Sequence, residues 1–189
     1  MASKDIFAER GRALEDQFFR DRERELVQRL NAEAETEAGR EALRKVTGIA
    51  DAKVLDGMLK LGIDAETMLA LTLVPLIQVA WADRQVDAEE RDQVLKAAAA
   101  AGVTEDSPSH ALLSEWLQEK PSHKLFQLWQ SYIGELREAI GAEELQLLKS
   151  DITTRAKAVA EATGGILGIA KTSGTEATVL EQIEQAFGG

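Results

Sequence analysis

Apolar positions recur along this chain at helical spacing, three and four residues apart, and nowhere in the strict alternation of a strand. The run Met68–Gly102 organises the rest. It opens with fifteen uncharged residues, Met68–Ala82, turns acidic at Asp83, and resumes as an amphipathic pattern that stops at Gly102. The first part, from Leu69 through Leu76 and Ile77 to Trp81, is apolar nearly all round, the signature of a helix buried on most sides. Pro75 lacks an N–H and should kink or divide that helix. Val94, Leu95, Ala98 and Ala101 form the inward stripe of the second part.

Other segments give the same period. Ser3 can cap a helix that runs unbroken to about Thr36, with Phe7, Leu14 and Phe18 on one face. Phe19, Leu26 and Leu30 lie about 120° further round, so this long amphipathic helix wraps another element or touches different surfaces. A short segment ends at Thr47-Gly48, and residues 1–47 read as an N-terminal arm ahead of a bundle over 48–189. Asp51 can start a helix carrying Val54, Leu55, Met58 and Leu59, closed by Gly62, and Asp64 can cap the next. Pro108-Ser109-His110 and Pro121-Ser122-His123 begin an internal repeat, P-S-H-x-L-apolar-x-x-W, in which proline presets the first turn of each helix. Helices over Ala142–Thr163 and after Ser173-Gly174-Thr175-Glu176, a capping-box pattern, complete an all-α, compact multi-helix bundle.

Composition narrows the function more than the fold. The chain has 189 residues, 33 acidic against 22 basic, and a formal charge of −11. That sign opposes nucleic-acid binding and suits cations or basic partners. No cysteine is present, which excludes disulfides and thiolate chemistry. The N-terminal sequence lacks the apolar core of a signal peptide, and Met68–Ala82 is shorter than the ~20 residues of a membrane span, so a cytoplasmic location is the expectation.

Candidate chemistry gathers at the acidic turn. Asp83, Asp87, Glu89 and Glu90 lie within eight residues between helices, and such oxygen ligands suit Ca²⁺ or Mg²⁺. The same residues make a helix cap, with Asp87 on the free amides and Glu90 reaching back. An EF-hand is excluded, because the alternating acids and the turn glycine are missing. His110 and His123 occupy first helical turns, where the dipole favours the neutral imidazole that ligates metals, but no Glu stands at ligand spacing. Gly-Ile-Ala-Lys-Thr near residue 170 is not a phosphate loop, since its spacing differs and no strand precedes it. Ile166, Leu167 and Ile169 read instead as anchors of a tight connection. No catalytic constellation stands out, and the chain reads as a non-enzyme.

The stretch VAWADRQVDAEERDQVLKAAAAAG resembles the signature of the TerB-like (tellurite-resistance) helical proteins. In that signature an apolar helix ends in Ala-Asp-Gly, followed by an apolar residue and an acidic cap. Ala82, Asp83, Val86, Asp87, Glu89 and Glu90 match it, and Arg84 stands where the family usually has glycine. The likeness covers about Leu55 to Phe187, including the closing GGILGIAKTSGTEATVLEQI. It implies a helical bundle, a divalent-cation role at the acidic turn, and a place in stress or tellurium-resistance systems without catalysis. The alternative is a ligand-free interaction module that meets a protein partner or itself through the N-terminal helix, whose FAERGRALEDQFF resembles small bacterial ATP-synthase inhibitors.

Overall fold

The computed structural model describes residues 35–162 and 174–188. The expectations placed on residues 1–34 and on 163–173, the wrapping arm and the glycine-rich connection with Ser173, lie outside the described residues. The chain divides into two compact units, Met1–Gly39 and Arg40–Gly189. All the regular structure among the described residues is helical, and none of those helices is long and apolar enough to cross a membrane.

Helix α1 occupies residues 35–47. The division between units falls inside it, and residues 40–47 are counted with the second unit. Leu43 is fully buried, and Arg40 makes a forked pair with Asp56, Nε to Oδ1 at 2.5 Å and Nη2 to Oδ2 at 3.1 Å. Hydrogen bonding to Arg40 holds the Asp56 carboxyl below the usual carboxylate range. Gly48 ends the helix at φ +73°, its N–H on the Arg44 carbonyl.

Helix α2 (Ala52–Lys60) starts on Asp51, whose Oδ1 accepts from Lys53 N and Val54 N, and ends at Gly62 with φ +75°. Asp64 does not cap the next α-helix directly. Its Oδ1 takes the amides of Glu66 and Thr67 and the Thr67 hydroxyl, while Asp64 N–H donates to Thr67 Oγ1. These bonds close a turn at residues 65–67, and α3 (Met68–Thr72) begins only after it. Burial acts to raise the Asp64 carboxyl, but the bonds from Thr67 and Glu66 outweigh it and leave the group below its ordinary value.

The uncharged run divides as proline requires. Helix α3 stops before Leu73, and α4 (Val74–Ala80) restarts with Pro75 in its first turn, where a missing N–H costs nothing. Helix α4 is the centre of the fold, touching α3, α5 (Ala88–Ala100), α6 (Pro108–Gln118), α7 (His123–Ala139), α8 (Ala142–Ala162) and α9 (Gly174–Ala186). Its Val74, Pro75, Leu76, Ile77, Val79 and Ala80 are all buried. Each large one contributes roughly 1.5–3 kcal/mol by leaving water.

The repeat is only partly a structural repeat. In the first copy Ser107 caps α6 and Pro108 is its first residue. In the second, Pro121 precedes the cap, Ser122 accepts from Lys124 N, and α7 starts at His123. The cap shifts because Lys120 stands where the first copy has the capping Ser107. Ser109, buried inside α6, donates from Oγ to the Glu66 carbonyl at 3.0 Å and ties α6 to the turn before α3. Both tryptophans are core residues as expected. Trp129 is stacked on Phe126 at 5.5 Å and meets the edge of Phe187 at 5.8 Å. Ile152, Ala156 and Val159 of α8 and Val179, Ile183 and Phe187 at the C-terminal end close the core.

Candidate functional site

The α4–α5 turn is built by satisfying the ends of three helices at once. Helix α4 finishes at Trp81, and the Ala82 and Arg84 amides fold back onto the Val79 and Trp81 carbonyls. Arg84 then takes φ +78°, the single positive value at a non-glycine among the described residues. A side chain in that conformation costs about 1–2 kcal/mol, so the surrounding turn must hold it there.

Asp83 stabilises the bend by accepting the Gln85 amide on Oδ1 at 3.0 Å. Asp87 then opens α5 with a complete capping box. Its Oδ1 accepts the Glu90 amide at 2.8 Å, and Glu90 Oε2 accepts the Asp87 amide at 3.0 Å. Glu89 joins Glu90 in the acidic first turn, where the helix dipole favours negative charge.

The turn is also clamped to the end of α6, where helix geometry leaves carbonyls without partners. Trp81 Nε1 donates to the Trp116 carbonyl at 2.8 Å, and Arg91 Nη2 donates to the Leu117 carbonyl at 2.9 Å. Lys120 Nζ returns a bond to the Trp81 carbonyl at 3.3 Å. No sequence signal paired these residues. The available hint was generic, that an indole N–H at the end of a buried helix needs an acceptor.

The acidic residues separate into an inner and an outer set. Asp83, Arg84, Gln85 and Glu89 are exposed, whereas Glu90 is only 3% exposed. Burial pushes the Glu90 carboxyl up to about 7 against the pull of the Asp87 amide, and the charges of Asp87, Asp83 and Glu176 add to the rise. Glu176, at the start of α9 and also buried, therefore belongs to the same electrostatic neighbourhood. Its sequence context predicts only a capping role, and 86 positions separate it from Glu90.

Asp83, Asp87 and Glu90 each hold a backbone amide on one carboxylate oxygen, Glu90 is buried, and Glu89 is exposed. Among the described residues, no group of three or more His, Asp or Glu side chains comes together at distances that could hold a metal ion. His110 is half-buried in the first turn of α6 and His123 is exposed at the start of α7, so neither joins such a group. What the turn can do chemically is present a charged outer face, fixed by the cap beneath it.

Comparisons with protein-family models, with curated proteins and with solved structures return no match to this chain.

Proposed function

We propose that the chain is a non-catalytic TerB-like helical domain that binds another protein within a cytoplasmic stress or tellurium-resistance assembly. The outer face of the α4–α5 turn is the contact surface. The observation behind this reading is the backbone at Arg84. The TerB-like signature has glycine at that position, and Arg84 adopts φ +78°, which glycine takes without steric cost. The turn thus has the bend that the signature's glycine would supply, with a charged side chain added where the family has none.

The geometry favours protein contact over ion binding. Arg84 and Glu89 are exposed, oppositely charged and mounted on a rigid capped turn, the arrangement that steers and orients a complementary partner. A partner captured from the source cells under tellurite stress supplies the test. Replacing Arg84→Glu together with Glu89→Lys keeps the net charge, and we expect it to weaken that complex at least tenfold while the melting temperature falls by no more than about 4 °C, the cost of a lysine in the first turn of α5. Binding that ignores the charge swap would sink the assignment of this face.

A further inference from the structure

We infer that the trough between α2 and α7 is a docking groove for an acidic peptide segment that carries an apolar anchor. The inference rests on the reading of the chain as an interaction domain, but it places a second contact away from the acidic turn.

The groove is a hollow of about 370 Å³ lined by Gly57, Lys60 and Leu61 from the end of α2 and by Lys124, Gln127 and Leu128 from α7. A neighbouring hollow of about 280 Å³ shares Leu61 but is lined by Glu115 and Glu119 beside Lys120, which confines an acidic segment to the first. Along α7 that first hollow runs from Lys124 to Ser131, a length of ~10 Å at the rise of a helix. That is room for about two turns of a bound helix or a short extended segment.

The floor is apolar and set by a close approach. A Cβ on Gly57 would stand 3.0 Å from Leu128 Cδ1, so glycine lets α2 lie against α7 and leaves half-buried Leu61 beside it. The walls carry the charge. Lys60 and Lys124 are both exposed, no carboxylate lines this hollow, and neither lysine forms an ion pair among the described residues. Lys60 only adds to the field on Asp56, which is paired to Arg40. In a chain of net charge −11, a hollow whose described lining carries no charged side chain but two lysines departs from the surface at large. Its complement is an apolar side chain on Leu61 and Leu128 with Asp or Glu on either side of it, reaching Lys60 and Lys124.

The test uses the full chain as bait for a random twelve-residue peptide library, with the selected peptides then measured by fluorescence anisotropy. Enriched peptides are expected to carry Leu, Ile or Phe flanked by Asp or Glu. Their binding should fall at least tenfold with Lys60→Glu plus Lys124→Glu, fall less with the glutamine pair, and weaken as salt rises. Enrichment without acidic residues, or binding unchanged in both lysine variants, overturns the groove. If the selected peptides instead depend on Arg84 and Glu89, the groove fails while the interaction-domain reading stands. If no peptide is enriched, the groove is overturned too.

Discussion

Glu90 is ionisable, buried and built into a cap, and Glu90→Gln separates those properties. Glutamine keeps an acceptor for the Asp87 amide and so preserves the capping box, but it carries no charge. The wild-type carboxyl is raised from 4.5 to about 7, chiefly by burial and then by Asp87, Asp83 and Glu176. Because the folded value lies above the unfolded one, the native state holds more protons between those pH values. The stability this contributes is present below pH 4.5 and is lost as pH rises through about 7. The full difference corresponds to ~3 kcal/mol. Solvent screens the part due to the exposed Asp83, and relaxation around the buried carboxyl lowers the rest, so ~1–2 kcal/mol is the expected gain of the glutamine variant at pH 8. For a chain of this length, that raises the melting temperature by roughly 2–8 °C. Thermal and guanidinium unfolding of both proteins from pH 4 to 8, followed by circular dichroism, measures the difference directly. The variant should match the wild type near pH 4 and exceed it at pH 8. A difference that does not vary with pH, or a glutamine variant less stable at pH 8, would show that the ionised carboxylate is compensated and the argument wrong.

Other residues give sharper, smaller tests. Arg84→Gly relieves a left-handed backbone but loosens the unfolded chain, so unfolding should shift by no more than about 1 kcal/mol, toward greater stability. Trp81→Phe leaves the Trp116 carbonyl without its indole donor and should cost ~1–3 kcal/mol in denaturant titration. Removing Met1–Gly39 should leave a cooperative unfolding transition. Removing Met1–Thr47 also deletes buried Leu43 and the Arg40–Asp56 pair, and should lower the midpoint markedly, by ~2–4 kcal/mol from Leu43 alone. Equal stability of the two truncations would mean that residues 40–47 are not part of the bundle core.

Local rules made much of this fold legible. The all-helical class, the break at Pro75, the caps at Asp51 and Asp87 and the stops at Gly48, Gly62 and Gly102 each depend on residues a few positions apart. Helix starts are less determined where two neighbouring residues suit the cap equally well. Pro121 and Ser122 both suit a helix start, and Ser122 becomes the cap because Lys120 stands where the first copy has the capping Ser107. Asp64 has the chemistry of a cap, but its bonds with Thr67 close a turn of its own. The site was less legible than the fold. The capping box could be read in Asp87 and Glu90, but the burial of Glu90, its neighbour Glu176 and the clamps from Trp81 and Arg91 onto α6 arise between distant segments. Spacing along a helix carries no information about them. The left-handed backbone at Arg84 leaves no trace in the spacing of apolar residues.

We propose that the acidic turn is a cap with a protein-binding outer face and not an ion-binding loop. Isothermal titration of the full chain with Ca²⁺, Mg²⁺, Mn²⁺ and Zn²⁺ separates the two. With the carboxylates of Asp83, Asp87 and Glu90 engaged on backbone amides, no ion should bind more tightly than about millimolar. Tighter binding that disappears in the Asp83→Ala, Glu90→Ala double variant would contradict the account and make these residues ligands after all.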